Sequence, residues 1–344
     1  MARRAMPAWS PEALAARLPF LEARARLAAG ARAFLAARGY REVETPCLVP
    51  APGMEVHLRG FRTAFAPHLG QGAPRALWLR TSPELALKRL LVAGAGPVFE
   101  LARVWRNGEI GTRHAPEFTM LEWYRPGATL DALMEETEAL LRALCPPRVA
   151  HAGVETDLSL PFARITCAEA FARWCGLDLL ASIRPEGTGD AAALGARPGE
   201  SWEDAFFRLL LDHVEPRLGR ERGCFLTHWP APQAALARRD PDDPRVALRF
   251  ELFVAGVELA NAFDELTDPA EQRARFAHDV AERVRLYGAE EAWPVDEDFL
   301  AALETGMPAG SGIALGFDRL AMLASGARRI EDVLWLGGFP YSAA

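Results

Sequence analysis

Residues Phe250 to Leu266 read FELFVAGVELANAFDEL. Apolar residues dominate the stretch, yet Glu251, Glu258, Asp264 and Glu265 stand among them, and acidic side chains are rarely buried without a partner. The central Ala255-Gly256 has the form of a two-residue hairpin turn. That turn pairs Val254 with Val257 and sets Phe253 opposite Glu258. Residues two apart share a strand face, so Glu251 and Glu258 fall diagonally on one side of the sheet. Carboxylates that close repel unless a cation or a shared proton lies between them. A hard divalent ion such as Mg²⁺, bridging to phosphate oxygens, meets that need. The plain alternative is a pair of ordinary exposed strand residues, and the hairpin alone does not choose.

The chain around this hairpin has 344 residues, half of them hydrophobic, enough for one large α+β domain or two ordinary ones. Its formal charge of -7, spread with both signs throughout, is unlike that of a general nucleic-acid binder. The odd set Cys47, Cys145, Cys167, Cys175 and Cys224 has no CxxC spacing, so reduced thiols in the cytoplasm are expected rather than zinc or disulfides. No apolar run approaches the roughly 20 residues that span a bilayer, and no membrane association is expected. The Arg- and Ala-rich start imitates a transit peptide, but Glu12 and Glu22 interrupt it and its helical spacing continues into the domain. Arginine supplies the basic residues except for the single Lys88; codon bias is the plain explanation.

Helical spacing covers Pro11–Arg38 and stops at Gly39. REVETPCLVP then alternates like a strand, and Met54–Phe65 and Leu77–Arg80 read as further strands around the turn-rich HLGQGAP. Ser82 is an N-cap candidate for a helix Pro83–Ala93. VFELARVWRN and EFTMLEWYR are strands flanking a polar loop, followed by an amphipathic helix Leu130–Leu144. Residues 145–244 read as mostly helical, with helices expected over Cys167–Leu180 and Ser201–Val214. After the hairpin comes a helix near Ala270–Tyr287, then GMPAGSGIALGFDRLAMLASG. Two groups of strands around a helical middle suit an α+β domain with a mainly antiparallel β-sheet flanked by helices. No GxxxxGK[ST] and no strand-linked GxGxxG is present.

Two more stretches carry chemistry. The loop in VWRNGEIGTRHAPEFTMLEWYRP holds Arg106, Arg113 and His114, and an arginine at a strand end holds a phosphate oxygen through forked hydrogen bonds. In SGIALGFDRLAMLASG, Gly312 and Gly316 suit a strand whose backbone is closely approached. Asp318-Arg319 then opens a helix, where an arginine is out of place unless an anion is near.

The order of these blocks resembles the catalytic domain of class II aminoacyl-tRNA synthetases. EVETPCL, TSPELALKRLL, WRN, RHAPEFTMLEWYR, VELANAFDELTD and ALGFDRL are similar to the lysyl branch. A single class II catalytic domain over 1–344, with no anticodon-binding domain, is expected. That pattern, with TSPE, LLVAGAGPVFEL and Ala314, resembles the elongation factor P lysine lysyltransferases, paralogues of lysyl-tRNA synthetase. The resemblance implies ATP-dependent activation of (R)-β-lysine, less well lysine, and transfer to a lysine side chain of elongation factor P. It implies ATP and Mg²⁺, a homodimer by analogy with the first motif, and no stable tRNA binding.

By the same resemblance Arg106 contacts the α-phosphate and the substrate carboxylate, and Arg319 the γ-phosphate. Glu251 and Glu258 hold Mg²⁺, and Phe118 stacks on adenine. Asn107, Gly108, Glu109, His114, Ala115, Glu258, Leu259 and Gly316 complete the nucleotide site. Ser82, Pro83, Glu84, Tyr124, Asn261, Phe263, Glu265 and Ala314 bind the amino acid, the acids reading its ammonium groups and Ala314 adding bulk beside it. Two positions depart from the family: Gly108 replaces a nucleotide-contacting Glu, for which Glu109 stands in, and Ala115 replaces an Asn. ATP binding is therefore expected to be retained but weakened. Two rivals remain at this stage, a tRNA-charging ligase and a non-catalytic regulatory paralogue.

Overall fold

The computed structural model describes residues 9–67, 72–184 and 186–337. Helix α1 (Pro11–Ala36) starts where Ser10 accepts from the Ala13 N–H at 3.1 Å and Pro11 takes the first turn. It ends slightly before the expected Arg38, and Gly39 at φ +84° turns the chain away. The strand expected over REVETPCLVP is reduced to two fragments, β1 (Arg41–Glu42) and β2 (Leu48–Val49). Pro46 and Pro50 cannot donate to a ladder, and Thr45 is engaged by the buried Arg80. Arg80 donates to the Thr45 carbonyl (3.0 Å) and hydroxyl (2.6 Å) and to Glu100 (2.6 Å).

The strand expected over Met54–Phe65 is confined to β3 (Phe61–Phe65), which pairs with β4 (Arg75–Leu79), itself paired with β2. The expected turn at HLGQGAP lies largely outside the described residues. Helix α2 (Glu84–Val92) precedes β5 (Val98–Trp105) and β6 (Glu117–Pro126), an antiparallel pair in the register Val98↔Tyr124 to Trp105↔Glu117. Strand β1 adds in parallel to β5.

Helix α3 (Leu130–Leu144) matches its expected span. Thr129 caps it, and Leu130, Leu133, Met134, Thr137, Leu140 and Leu141 form its buried stripe at helical spacing. The segment expected to be mostly helical also supplies strands: β7 (Arg148–His151), β8 (Val154–Asp157), β9 (Ala163–Thr166) and β10 (Cys224–Pro230). Three of these have four residues, too short for alternation to register. The expected helices shrink to α4 (Cys167–Cys175), closed by Gly176 at φ 68°, and α5 (Trp202–Leu209), continued by a π turn to Val214.

Strands β11 (Val246–Val254) and β12 (Val257–Asp264) form the hairpin read from the sequence. Helices α6 (Pro269–Tyr287) and α7 (Glu297–Gly306), strand β13 (Gly310–Gly316) and helix α8 (Phe317–Ser325) follow.

Two compact units divide these elements. One comprises residues up to 124, 267–308 and 316 onward; the other comprises 125–266 and 309–315. In the first, β1-β5-β6 and β2-β4-β3 are the sheet orders, with α1 packed on α8 and α2 on α7. In the second, the strands run in the order β13-β12-β11-β10-β9, and only β9–β10 is parallel. Its core gathers Phe171, Trp202, Phe206 and Trp229 with aliphatic side chains from α4 and α5. Pairing is mainly antiparallel in both, with helices alongside, as the α+β expectation has it.

Candidate active site

In the first unit, the strand pair β5–β6 carries the polar loop on its open end. The Arg106 N–H donates to Pro116 O (2.9 Å) and the Asn107 N–H to Arg59 O (2.7 Å), which fixes the two residues after β5. Gly108 has φ +86° with no atom near an added Cβ, so the backbone rather than lack of space calls for glycine here. Glu109 comes within 3.7 Å of the Arg106 guanidinium. That guanidinium also lies 5.3 Å from the Phe118 ring centroid, and its buried Nε has no hydrogen-bond partner. A buried N–H left unmatched in this way is costly unless a ligand completes it. Ala115 is buried.

Arg319 lies in the first turn of α8. Its Nη2 is 2.7 Å from His114 Nε2, and its Nε donates to Arg113 O at 3.5 Å, so α8 and the loop bring His114 and Arg319 together. Asp318 does not cap this helix. It is buried and accepts from Arg24 (2.6 Å) and from the Thr119 N–H (2.7 Å), which locks α1, β6 and α8 together. Gly316 leaves room for the Arg319 stem, 3.4 Å from where a Cβ would sit. At Gly316 the neighbours are side-chain atoms of Arg319, not backbone, whereas a close backbone approach occurs at Gly310, where a Cβ would meet Arg125 O at 2.4 Å.

Ser82, Glu84 and Tyr124 converge on a residue the sequence reading passed over, Glu122. Ser82 Oγ donates to Glu122 Oε2 (2.8 Å) and accepts from the Glu84 N–H (3.0 Å); Tyr124 OH donates to Glu122 Oε1 (2.6 Å). Pro83, not Ser82, occupies the N-cap position of α2. Glu84 holds the Lys88 ammonium at 2.6 Å, one helical turn on, and Lys88 is 1% exposed. Burial, and after it the charge of Glu84, pushes the Glu122 carboxyl up to about 8. Its signal was present: a single acid in the apolar strand TMLEWY, two residues before Tyr124 and therefore on its face.

In the second unit, Ala255 (φ 52°) and Gly256 (φ 70°) make the hairpin turn, with Val254 opposite Val257 and Phe253 opposite Glu258. A bulge at Leu259 shifts the register beyond, so Glu251 pairs with Asn261. Leu259, the extra residue of the bulge, is buried. The shared face holds. Arg249, another residue missed in the sequence, donates to Glu251 (2.6 Å) and to Asn261 Oδ1 (3.1 Å) and stacks 4.0 Å from the Trp229 ring centroid. Phe263 lies 5.8 Å from the same guanidinium. The RFE alternation in the sequence was its signal.

Burial first, and Glu258 next, push the Glu251 carboxyl up to about 8 against the pull of Arg249. Two carboxylates on one strand face fit a divalent cation, and leave most of an octahedral shell for phosphate and water oxygens. Ala314 pairs directly with Asn261 across β12–β13, and Glu265 is buried at the end of β12, its N–H on Gly310 O (2.9 Å). Asp264 is neutralised by Arg238 at 3.0 and 3.1 Å, which agrees with its having no assigned role.

The model for the family "tRNA synthetases class II (D, K and N)" matches residues 15–340. The chain belongs to that family of ATP-dependent, aminoacyl-adenylate-forming enzymes.

Proposed function

We propose that this enzyme activates (R)-β-lysine, and lysine less well, and transfers the aminoacyl group to a lysine side chain of elongation factor P. The observation that carries the reading is Ala314 set directly across β12–β13 from Asn261. A methyl group at that position crowds the amino-acid side of the strand pair, and Glu265, buried just past β12, supplies a carboxylate suited to a substrate ammonium. The motifs TSPE and LLVAGAGPVFEL support the same branch.

In this reading the substrate carboxylate attacks the α-phosphorus in line, and pyrophosphate leaves. Arg106 offers its unmatched Nε–H and its forked terminus to the α-phosphate and to the carboxylate. Arg319, steadied by His114, takes the γ-phosphate, and Phe118 stacks on adenine. Glu251 and Glu258 would hold Mg²⁺, which would supply charge neutralisation for a polyphosphate. No side chain has to move a proton in this step; position and charge do the work. The acceptor amine then attacks the adenylate carbonyl and AMP leaves. The enzyme acts as a homodimer, without stable tRNA binding.

The test is β-lysine-dependent ATP–pyrophosphate exchange, followed by transfer assays with elongation factor P and lysine tRNA side by side. Exchange and transfer to the protein alone are expected. Transfer to tRNA alone would overturn the acceptor assignment, and absence of exchange with every diamino acid would overturn the activation itself.

A further inference from the structure

Glu55 belongs to the irregular stretch 52–60, which alternation alone marks as strand. Residues far along the chain hold it in another shape. Arg283, 3% exposed, donates from Nη1 to the carbonyls of Glu55 (3.2 Å) and Val56 (2.8 Å), and from Nε to Glu291 O (2.7 Å). Its guanidinium lies 3.6 Å from the Trp293 ring centroid, and the Trp293 indole N–H donates to Gly53 O at 2.5 Å. The far end of the stretch is tied to the arginine loop through the Asn107 N–H on Arg59 O.

This scaffold folds the Glu55 side chain back over Gly53, where a Cβ would come within 2.6 Å of both Glu55 Oε2 and Thr81 Oγ1. The carboxyl therefore sits beside the Thr81–Glu84 segment, within electrostatic reach of Arg106 and Glu84. Glu55 is exposed. Its neighbours are committed: Glu84 holds Lys88, and Glu122 takes the hydroxyls of Ser82 and Tyr124. Among the described residues, no side chain hydrogen-bonds or ion-pairs with Glu55; only its own backbone N–H does. Glu84 adds a second negative charge near it and Arg106 a positive one, so a substrate cation placed between the two acids is attracted by both.

We infer that Glu55 is a specificity-determining residue that receives the substrate ammonium nearest the reacting carboxylate. This rests on the proposed diamino-acid substrate and on Arg106 meeting its carboxylate. An ammonium one or two carbons from that carboxylate is the one that a carboxylate near Arg106 can reach. The side-chain ammonium is left to other acids.

Pyrophosphate exchange by the full chain tests this with Glu55→Gln and Glu55→Asp. Losing a charge-assisted bond to a ligand costs about tenfold or more in affinity. Glu55→Gln is therefore expected to raise KM for β-lysine and lysine by at least about tenfold, with KM for ATP unchanged within about twofold. 6-Aminohexanoate, which lacks the near ammonium, is expected to inhibit wild type and Glu55→Gln equally. Glu55→Asp, which keeps the charge, is expected to recover most of the loss. An unchanged KM for diamino acids, an equal rise in KM for ATP, or an equal loss of 6-aminohexanoate binding would overturn the inference. Should Glu55→Gln fail to fold, Glu55→Ser decides, since a wild-type selectivity between lysine and 6-aminohexanoate in that variant overturns it too. Wild-type exchange with an unaffected variant sinks Glu55 alone; no wild-type exchange with any diamino acid sinks the parent reading as well.

Discussion

Gly108 and Glu109 show how one residue's backbone preference redistributes chemistry to its neighbour. The left-handed φ at Gly108 is disfavoured for a side-chain-bearing residue, so the acid of this loop stands one place later. There it reaches the Arg106 guanidinium at 3.7 Å, with both side chains about a quarter exposed. A partly exposed pair of that length is worth about 0.2–1 kcal/mol, or roughly 1.4- to fivefold in affinity. Glu109→Ala is accordingly expected to raise KM for ATP by about that factor while leaving the KM for the amino acid alone. A lower KM for ATP would identify Glu109 as a competitor of the phosphate, not a substitute for the missing carboxylate, and overturn the assignment. Individual roles of this kind were legible where a polar residue ended a strand, as at Arg106. At Glu122 the acid inside an apolar strand was a visible signal, but its partner Ser82, forty residues earlier, was not legible.

Elements divide along the same physical line. The β11–β12 hairpin was readable because a two-residue turn and alternation are both local, and even its residue pairing near the turn followed from them. The bulge at Leu259 was not, since nothing within four residues demands it. Nor was the shape of 52–60, which Arg283 and Trp293 impose from more than two hundred residues away. The hairpin tip also depends on remote support. The Ala255 N–H donates to Gly219 O (2.8 Å) and to Thr156 Oγ1 (3.0 Å), which holds an alanine at positive φ. Gly219 has φ +64°, and a Cβ there would lie 2.5 Å from the Phe253 carbonyl carbon and oxygen. Gly219→Ala thus combines backbone strain with a clash against main chain that cannot swing aside. A loss of about 2–4 kcal/mol in urea unfolding is expected. A loss below about 1 kcal/mol would show that the tip is not held by this contact.

For the whole molecule, the fold class was legible because the order of motifs survives local misreadings of strand length. Its burial of two acids with raised proton affinity, one in each compact unit, was not. Glu122 and Glu251 both have carboxyls pushed up to about 8 from an ordinary value of 4.5, burial being the largest cause for each. Between those limits each group is protonated in the folded chain and ionised in the unfolded one. The folded chain then binds more protons, so stability is highest at the low end of the window and falls as pH rises. Each such group contributes roughly 1.4 kcal/mol per pH unit until the folded chain also ionises, and the fall levels off above about pH 8. Thermal unfolding of the metal-free protein is expected to show Tm decreasing from pH 5.5 to 8. Glu122→Gln and Glu251→Gln are each expected to flatten that slope, because the amide keeps the shape without the titration, and together they flatten it more than either alone. If both variants keep the wild-type slope, these two acids are already ionised at neutral pH, and the ammonium and metal sites are pre-charged instead of being charged by their ligands.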